Sequence, residues 1–244
     1  MIRSLSIIIP FYNEEKRIQS ALQEIDNFLT QKKIKTEIIF VDDGGTDNTK
    51  NLIENYIKQK KSENDLFKLI SYKENKGKGY ALKQGVLESK LDWVLTTDID
   101  FSVPLLQILK WDKENLINAD CKVYFGSRQH PNSEVNSKFY REFLGLVMRI
   151  IINFILGIKV KDTQCGFKLY DSEIDKILFK NLEVDGFEHD LAIVLSLKKN
   201  KLQMLELPVT WTHKDYSKLN ILIDPIKMFF GIFILMFKRF FKSK

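Results

Sequence analysis

The chain has 244 residues, 44% hydrophobic and 29% charged, with 11 Gly, 5 Pro and 2 Cys. A chain of this length can bury roughly 70–75% of its unfolded surface, and its apolar content, low Gly and Pro and two cysteines argue against disordered, collagen-like and disulfide-framework classes. Lys and Arg number 38 against 32 Asp and Glu, and the net charge of +6 suits an anionic partner: a phosphorylated ligand, an anionic membrane or nucleic acid.

Leu5–Pro10 is continuous and β-branched, which predicts a fully buried strand. Glu14–Gln31 predicts a helix with Ile18, Leu22, Ile25, Phe28 and Leu29 on one face. Glu37–Val41 predicts a second buried strand, followed by a helix through Leu52, Ile53 and Ile57. A strand over Phe67–Ser71, a helix over Lys78–Ser89 and a strand over Trp93–Thr97 continue the alternation. Strand–helix alternation predicts an α/β, Rossmann-like fold: a mainly parallel sheet with right-handed crossovers, flanked by helices. Beyond it, Cys121–Phe125 predicts a fifth strand ending in Gly126-Ser127-Arg128. Phe139–Ile158 predicts a long apolar helix, and Gln203–Thr210 a late strand. No repeat or linker interrupts the chain, so we expect one catalytic domain over residues 1–219 and a basic amphipathic helix over residues 220–244.

Ligands of such sheets sit beyond the carboxyl ends of the strands. Four loops fall there: Phe11-Tyr12-Asn13-Glu14-Glu15, Asp42-Asp43-Gly44-Gly45-Thr46-Asp47, Asn75-Lys76-Gly77-Lys78-Gly79 and Asp98-Ile99-Asp100. Two carboxylates spaced i,i+2 leave a strand on the same side and can hold a hard divalent cation, although an acidic turn explains such a pair equally well. Asp42 and Asp43 can accept from a base or ribose, or form a turn in which Thr46 or Asp47 caps the next helix. The amides and lysines of Asn75–Gly79 can meet phosphate at a helix N-terminus. Their spacing matches neither the P-loop nor the dinucleotide fingerprint.

Together the segments IIIPFYNEE, VDDGGTDNT, NKGKGYALKQG and TDIDFS resemble a family 2 glycosyltransferase with the GT-A fold. Downstream, FGSR, DTQCGFKLY and ELPVTWTHKDYSKL are similar to the polyprenyl-phosphate glycosyltransferases, dolichyl-phosphate glucosyltransferases first and mannose synthases next. The resemblance implies donor contacts from Pro10, Tyr12, Asn13, Glu14, Asp42, Asp43, Lys76 and Lys78. It assigns Asp98 and Asp100 to the sugar nucleotide and to Mg2+ or Mn2+, and Arg128 and Arg141 to the acceptor phosphate. Two positions depart from the pattern: Gly45 stands where these enzymes usually carry Ser, and Ser102 where mannose synthases often carry a Gln metal ligand.

An ionised phosphate acceptor needs cations rather than a base, whereas a hydroxyl acceptor needs one, for which Asp185, Glu188 and Asp190 are candidates. Asp190 can alternatively orient the donor sugar. His189 and His213 read as structural or surface groups, Cys165 as a small buried thiol, and Trp211 as a core or interface anchor. With inversion carried over from the resemblance, the expectation is transfer of a hexose, glucose from UDP-glucose first, to a dolichyl or undecaprenyl phosphate. Alternatives are mannosyl transfer from a GDP donor, transfer to a glycan hydroxyl, and a non-catalytic nucleotide-sugar binding module. No nucleic-acid module accompanies the basic charge.

Met1-Ile2-Arg3 enters the first strand without a cleavage site, so no secretory signal is expected. Met228–Phe237 is a ten-residue apolar run followed by Lys238, Arg239, Lys242 and Lys244. It covers about half of the ~30 Å hydrocarbon core, which predicts an interfacial helix on the cytoplasmic face of a membrane, peripheral or monotopic. The segment Phe143–Ile158 is a second candidate contact. A buried core helix or a homo-oligomer contact is the alternative for both.

Overall fold

The computed structural model describes residues 2–60, 65–118, 120–136, 157, 159–182, 184–186 and 188–214. Arg141, the helix predicted over Phe139–Ile158 (Gly157 apart) and the predicted tail helix over residues 220–244 lie outside the described residues.

The first half alternates as the sequence predicts: β1 (Ser4–Phe11), α1 (Ile18–Gln31), β2 (Lys35–Asp42), α2 (Thr49–Gln59), β3 (Asp65–Ser71), α3 (Lys78–Leu87) and β4 (Trp93–Thr96). Then follow α4 (Gln107–Lys113), β5 (Val123–Ser127), β6 (Glu134–Asn136), β7 (Lys168–Asp171), α5 (Ser172–Lys180), α6 (His189–Lys199), β8 (Leu205–Pro208) and β9 (Thr210–Thr212). Seven strands form one sheet in the order β3-β2-β1-β4-β7-β5-β8, and β6 pairs with β9 in a small parallel ribbon. All pairings in the large sheet are parallel except those of β7, which runs antiparallel to both β4 and β5.

Every residue of β1 is buried, so its alternation assigns one face to each helical layer. Ile7 and Ile9 pack with Ile18, Ile25 and Phe28 of α1. Ile8 faces the other way, onto Ala81, Leu82 and Val86 of α3, in a cluster that continues through Phe179 of α5 and Leu191 of α6. Each such side chain, fully buried, contributes about 1.5–3 kcal/mol. Trp111 of α4 is wholly buried and donates its indole N–H to the Pro208 carbonyl at 2.7 Å, fastening the first layer to the end of β8.

Four local expectations change. Helix α1 starts at Ile18 rather than Glu14, because the Glu14 carbonyl closes a turn by accepting from the Arg17 and Ile18 amides at 3.0 and 2.9 Å. Strand β5 starts at Val123, two residues past the predicted Cys121. The predicted late strand is two strands broken at Val209, whose amide turns to the Ser133 hydroxyl at 2.9 Å. Strand β4 ends at Thr96, so Asp98 and Asp100 sit in the loop beyond it and strand alternation does not govern their directions. Among the described residues no helix is long and apolar enough to cross a membrane.

Asp175 of α5 is fully buried without a side-chain partner among the described residues. Burial pushes its carboxyl up to about 7, against the opposing pull of the Lys176 backbone and charge. A folded-state value above the unfolded one gives stability that is complete below the unfolded value and is lost as pH rises through the folded one. Unfolding melts should therefore show the native chain losing stability between about pH 4 and 7, with Asp175→Asn flatter across that window and the more stable of the two above it.

Candidate active site

All four loops meet at the carboxyl edge of the sheet, held by their own side chains. The Asn13 side-chain oxygen Oδ1 accepts from the Thr46 and Asp47 amides at 2.6 and 3.2 Å, joining the loops after β1 and β2. Asn13 does this at φ 53°, a left-handed conformation that Asn tolerates better than most side chains. Asp47 accepts from the Thr49 amide at 3.0 Å, a turn contact leading into α2, whose N-cap is Asn48 rather than the expected Thr46 or Asp47. Pro10 is buried within β1, paired with Val41, and Tyr12 stands exposed at the rim.

Adjacent carboxylates after β2 have different work. Asp42 accepts from the Gly45 amide and the Ser71 hydroxyl, both at 2.9 Å. Asp43 accepts from the Tyr72 hydroxyl at 2.7 Å, the Asn75 amide group at 3.0 Å, and the Lys76 and Gly77 backbone amides at 2.8 and 2.9 Å. It is the staple of the Asn75–Gly79 loop. The amides of Gly79 and Tyr80 donate to the Asp185 carbonyl at 2.8 and 3.2 Å, so these two N–H groups at the start of α3 are spent inside the protein. Gly77 has φ 101°, and a Cβ on it would meet the Asp185 carbonyl at 2.4 Å, so this turn requires glycine. The Lys76 ammonium lies over the Tyr80 ring, 4.7 Å from its centroid.

Lys78 extends to Asp98, Nζ to Oδ1 at 2.5 Å. Burial alone would raise the Asp98 carboxyl, but the Lys78 charge holds it below the usual carboxylate range. Asp100 moves the other way, pushed up by burial and by the like charge of Asp98. Its Oδ1 accepts from the Ser102 amide at 2.9 Å, and its Oδ2 lies 3.7 Å from Arg17. The Glu14 carboxylate, expected at the donor, grips Arg17.

Below this pair lies a buried ionic cluster. Lys168, on antiparallel β7, is 1% exposed and forms an ion pair with Asp190 at the start of α6. His189 presents Nε2 to Asp190 at 3.1 Å and Nδ1 to the Gly186 carbonyl at 2.8 Å. Burial would raise the Asp190 carboxyl, yet His189 and Lys168 hold it far below the usual range. His189 is thus structural, as expected, but its partner is a charged site residue. Asp185 lies exposed and Glu188 half-buried at the turn leading into α6.

Arg128, at the end of β5, forms a bidentate pair with Asp162: Nε to Oδ2 at 2.7 Å and Nη2 to Oδ1 at 2.9 Å. Asp162 raises the guanidinium above its usual value against burial, and is itself held low. Among the described residues no further hydrogen bond uses the Nη1 side of Arg128, and the guanidinium carbon lies 5.9 Å from the Trp211 ring centre. Cys165 is buried and its thiol is pushed up to about 12 by burial, which fits the inert reading.

Sequence reasoning missed Arg17, Lys168 and Asp162. Glu14 and Arg17 at i,i+3 carried a usable signal for the first. Among the described residues no group of three or more His, Cys, Asp or Glu is arranged to hold a metal. Two neighbouring carboxylates nevertheless fit a hard divalent cation of the kind completed by substrate phosphates and water. The mutual repulsion of Asp98 and Asp100 is what such an ion would relieve.

Asp98 lies against the backbone of Gly166: a Cβ there would sit 2.3 Å from Oδ2. Gly166→Ala must displace the carboxylate. Misplacing a reacting group by about 1 Å can cost ~10²-fold, so kcat should fall by that order while the unfolding midpoint changes little, as paired kinetics and melts would show.

Residues 6–179 match the sequence model of the family described as Glycosyl transferase family 2. The chain is 33% identical over 234 residues to a dolichyl-phosphate beta-glucosyltransferase of Dictyostelium discoideum, covering 92% of this chain and 71% of the relative. Its likeness to the dolichyl-phosphate beta-glucosyltransferase of Saccharomyces cerevisiae is 34% over 239 residues, with the same coverage of each. Among solved structures, glucosyl-3-phosphoglycerate synthase from Mycobacterium tuberculosis in complex with Mn2+, uridine-diphosphate-glucose and phosphoglyceric acid superposes with a TM-score of 0.60. That match covers 88% of this chain and 73% of the other at 16% identity, a likeness of fold, the GT-A fold. Sequence and architecture converge: the chain belongs to glycosyltransferase family 2 and is a glycosyltransferase.

Proposed function

We propose that the enzyme transfers glucose from UDP-glucose to a polyprenyl phosphate of the dolichyl type, with inversion, at a membrane surface. The names of the two relatives support the sugar and the acceptor, and the fold neighbour holding UDP-glucose supports the donor. The observation that carries the acceptor class is the Lys168–Asp190–His189 cluster. A carboxylate held so far below its usual range is a poor general base, so a hydroxyl acceptor would find little help from it. A phosphate monoester, whose second pKa is about 6, arrives already ionised at neutral pH.

In this reading the donor nucleotide lies along the loops after β1 and β2, with Pro10, Tyr12, Asn13 and Asp42 at its side. Asp43 and Glu14 act behind them, shaping the Lys76 loop and holding Arg17. Asp98 and Asp100 would hold a divalent cation, Mg2+ or Mn2+, which when bound stabilises the charge left on the departing diphosphate. Lys78 keeps Asp98 ionised and fixed. Arg128, oriented by Asp162, offers its Nη1 side to the acceptor phosphate, and Arg141 is assigned to the same phosphate by the family resemblance. Asp190, anchored from below, orients the sugar. The tail Met228–Lys244 rests on anionic headgroups on the cytoplasmic side.

Radiolabelled UDP-glucose and GDP-mannose, each mixed with polyprenyl phosphate and Mg2+ or Mn2+, should give organic-extractable label from UDP-glucose alone. Label from GDP-mannose alone would transfer the reading to mannose. Label in a glycan with none in lipid would replace the phosphate acceptor by a hydroxyl.

Arg128→Ala should raise the acceptor KM by ~10-fold or more and leave UDP binding nearly unchanged, as expected for a lost charge-assisted phosphate contact. An effect confined to the donor would remove Arg128 from the acceptor site.

A further inference from the structure

Arg17 stands at the turn before α1 with its guanidinium clamped. Glu14 takes the Nε and Nη2 side, with Nη2 to Oε1 at 2.9 Å, and the Glu14 amide is in turn fixed on the Thr49 hydroxyl at 2.8 Å. The third nitrogen, Nη1, is buried and has no hydrogen-bond partner among the described residues. It lies 3.7 Å from Oδ2 of Asp100. That separation is too long for a hydrogen bond and short enough for strong Coulombic attraction. Asp100 is held on its other oxygen by the Ser102 amide, which leaves Oδ2 as the oxygen facing Arg17. Asp98 is unlike it, in direct 2.5 Å contact with Lys78.

We propose that Arg17 is the resident counter-ion of Asp100, a positioning residue that balances and aims this carboxylate while no divalent cation is bound and gives it up when one arrives. The proposal rests on the reading that Asp98 and Asp100 hold such a cation. Glu14 prevents the guanidinium from following the carboxylate, and the absence of a direct hydrogen bond lets Oδ2 leave without breaking one. A fixed positive charge at this distance also opposes a second cation, so Arg17 sets metal affinity downward as well as aiming the ligand.

The test reads Mn2+ binding to the whole protein, without nucleotide and with UDP, from the paramagnetic resonance signal of free Mn2+. Arg17→Gln removes the charge but keeps a donor for Glu14. Arg17→Met is the second neutral variant, and Arg17→Lys keeps the charge without the fork. The neutral variants should bind Mn2+ ~5-fold more tightly than the native protein in the absence of nucleotide, yet turn over more slowly at saturating Mn2+. Arg17→Lys should keep near-native Mn2+ affinity. Loosening of the structure alone would weaken Mn2+ binding, so the sign separates the two roles. Native protein that binds Mn2+ while neither neutral variant binds it more tightly overturns the counter-ion role and leaves the cation reading intact. Native protein that ignores Mn2+ even with UDP, and transfers sugar in the presence of a chelator, removes the cation reading and the counter-ion role with it.

Discussion

At the carboxyl edge of the sheet each of four carboxylates faces a cation delivered by a different element. Asp98 meets Lys78 of α3, Asp100 lies near Arg17 before α1, Asp190 of α6 meets Lys168 of β7, and Asp162 meets Arg128 at the end of β5. Breaking a buried pair by removing one partner is strongly destabilising, so the buried Lys168–Asp190 pair ties α6 to β7, and β7 cannot slip in register without stranding Asp190. Charges set by packing are already in place when substrate arrives, which is the form of electrostatic help that costs no reorganisation during reaction.

The same dependence explains what the sequence could reveal. Strands β1, β2 and β4 are largely apolar, buried runs, and their carboxyl-end loops concentrate polar residues on one edge of the sheet. That half of the fold, and Asp98 and Asp100 within it, were legible. Strand β7 was not, because Lys-Leu-Tyr-Asp places a lysine where a central strand should be apolar. Only the later Asp190, 22 residues away, makes that lysine tolerable, and periodicity does not read such a separation. Helix α6 was hidden for a related reason: its first turn, His189 and Asp190, belongs to the ionic cluster and resembles a loop motif.

Asp42 and Asp43 mark the limit of residue-type reasoning. Both follow an apolar run and both carry the right chemistry for a ribose or base. Asp42 is the last residue of β2, whereas Asp43 is past it and turns toward the β3–α3 connection. The sequence predicts carboxylates at this edge; three-dimensional register decides which loop each one holds. Arg128 shows the same limit from the cation side, since its motif is visible in the sequence while the aspartate that fixes its orientation lies 34 residues away.

Pairing the charges one to one has a consequence for the proposed substrates. A nucleotide diphosphate and an acceptor phosphate are both anionic, and bringing them within reacting distance is repulsive. Paired side chains offer little net positive charge to offset that. Two features meet the need: the uncommitted side of the Arg128 guanidinium, and an Asp100 balanced by a cation it does not hydrogen-bond. In the proposed reading the first would draw an acceptor phosphate, and the second would let a divalent ion enter with the donor and supply positive charge at the leaving group. The charge needed for transfer is thereby admitted with the substrates, and the resting enzyme keeps a balanced core.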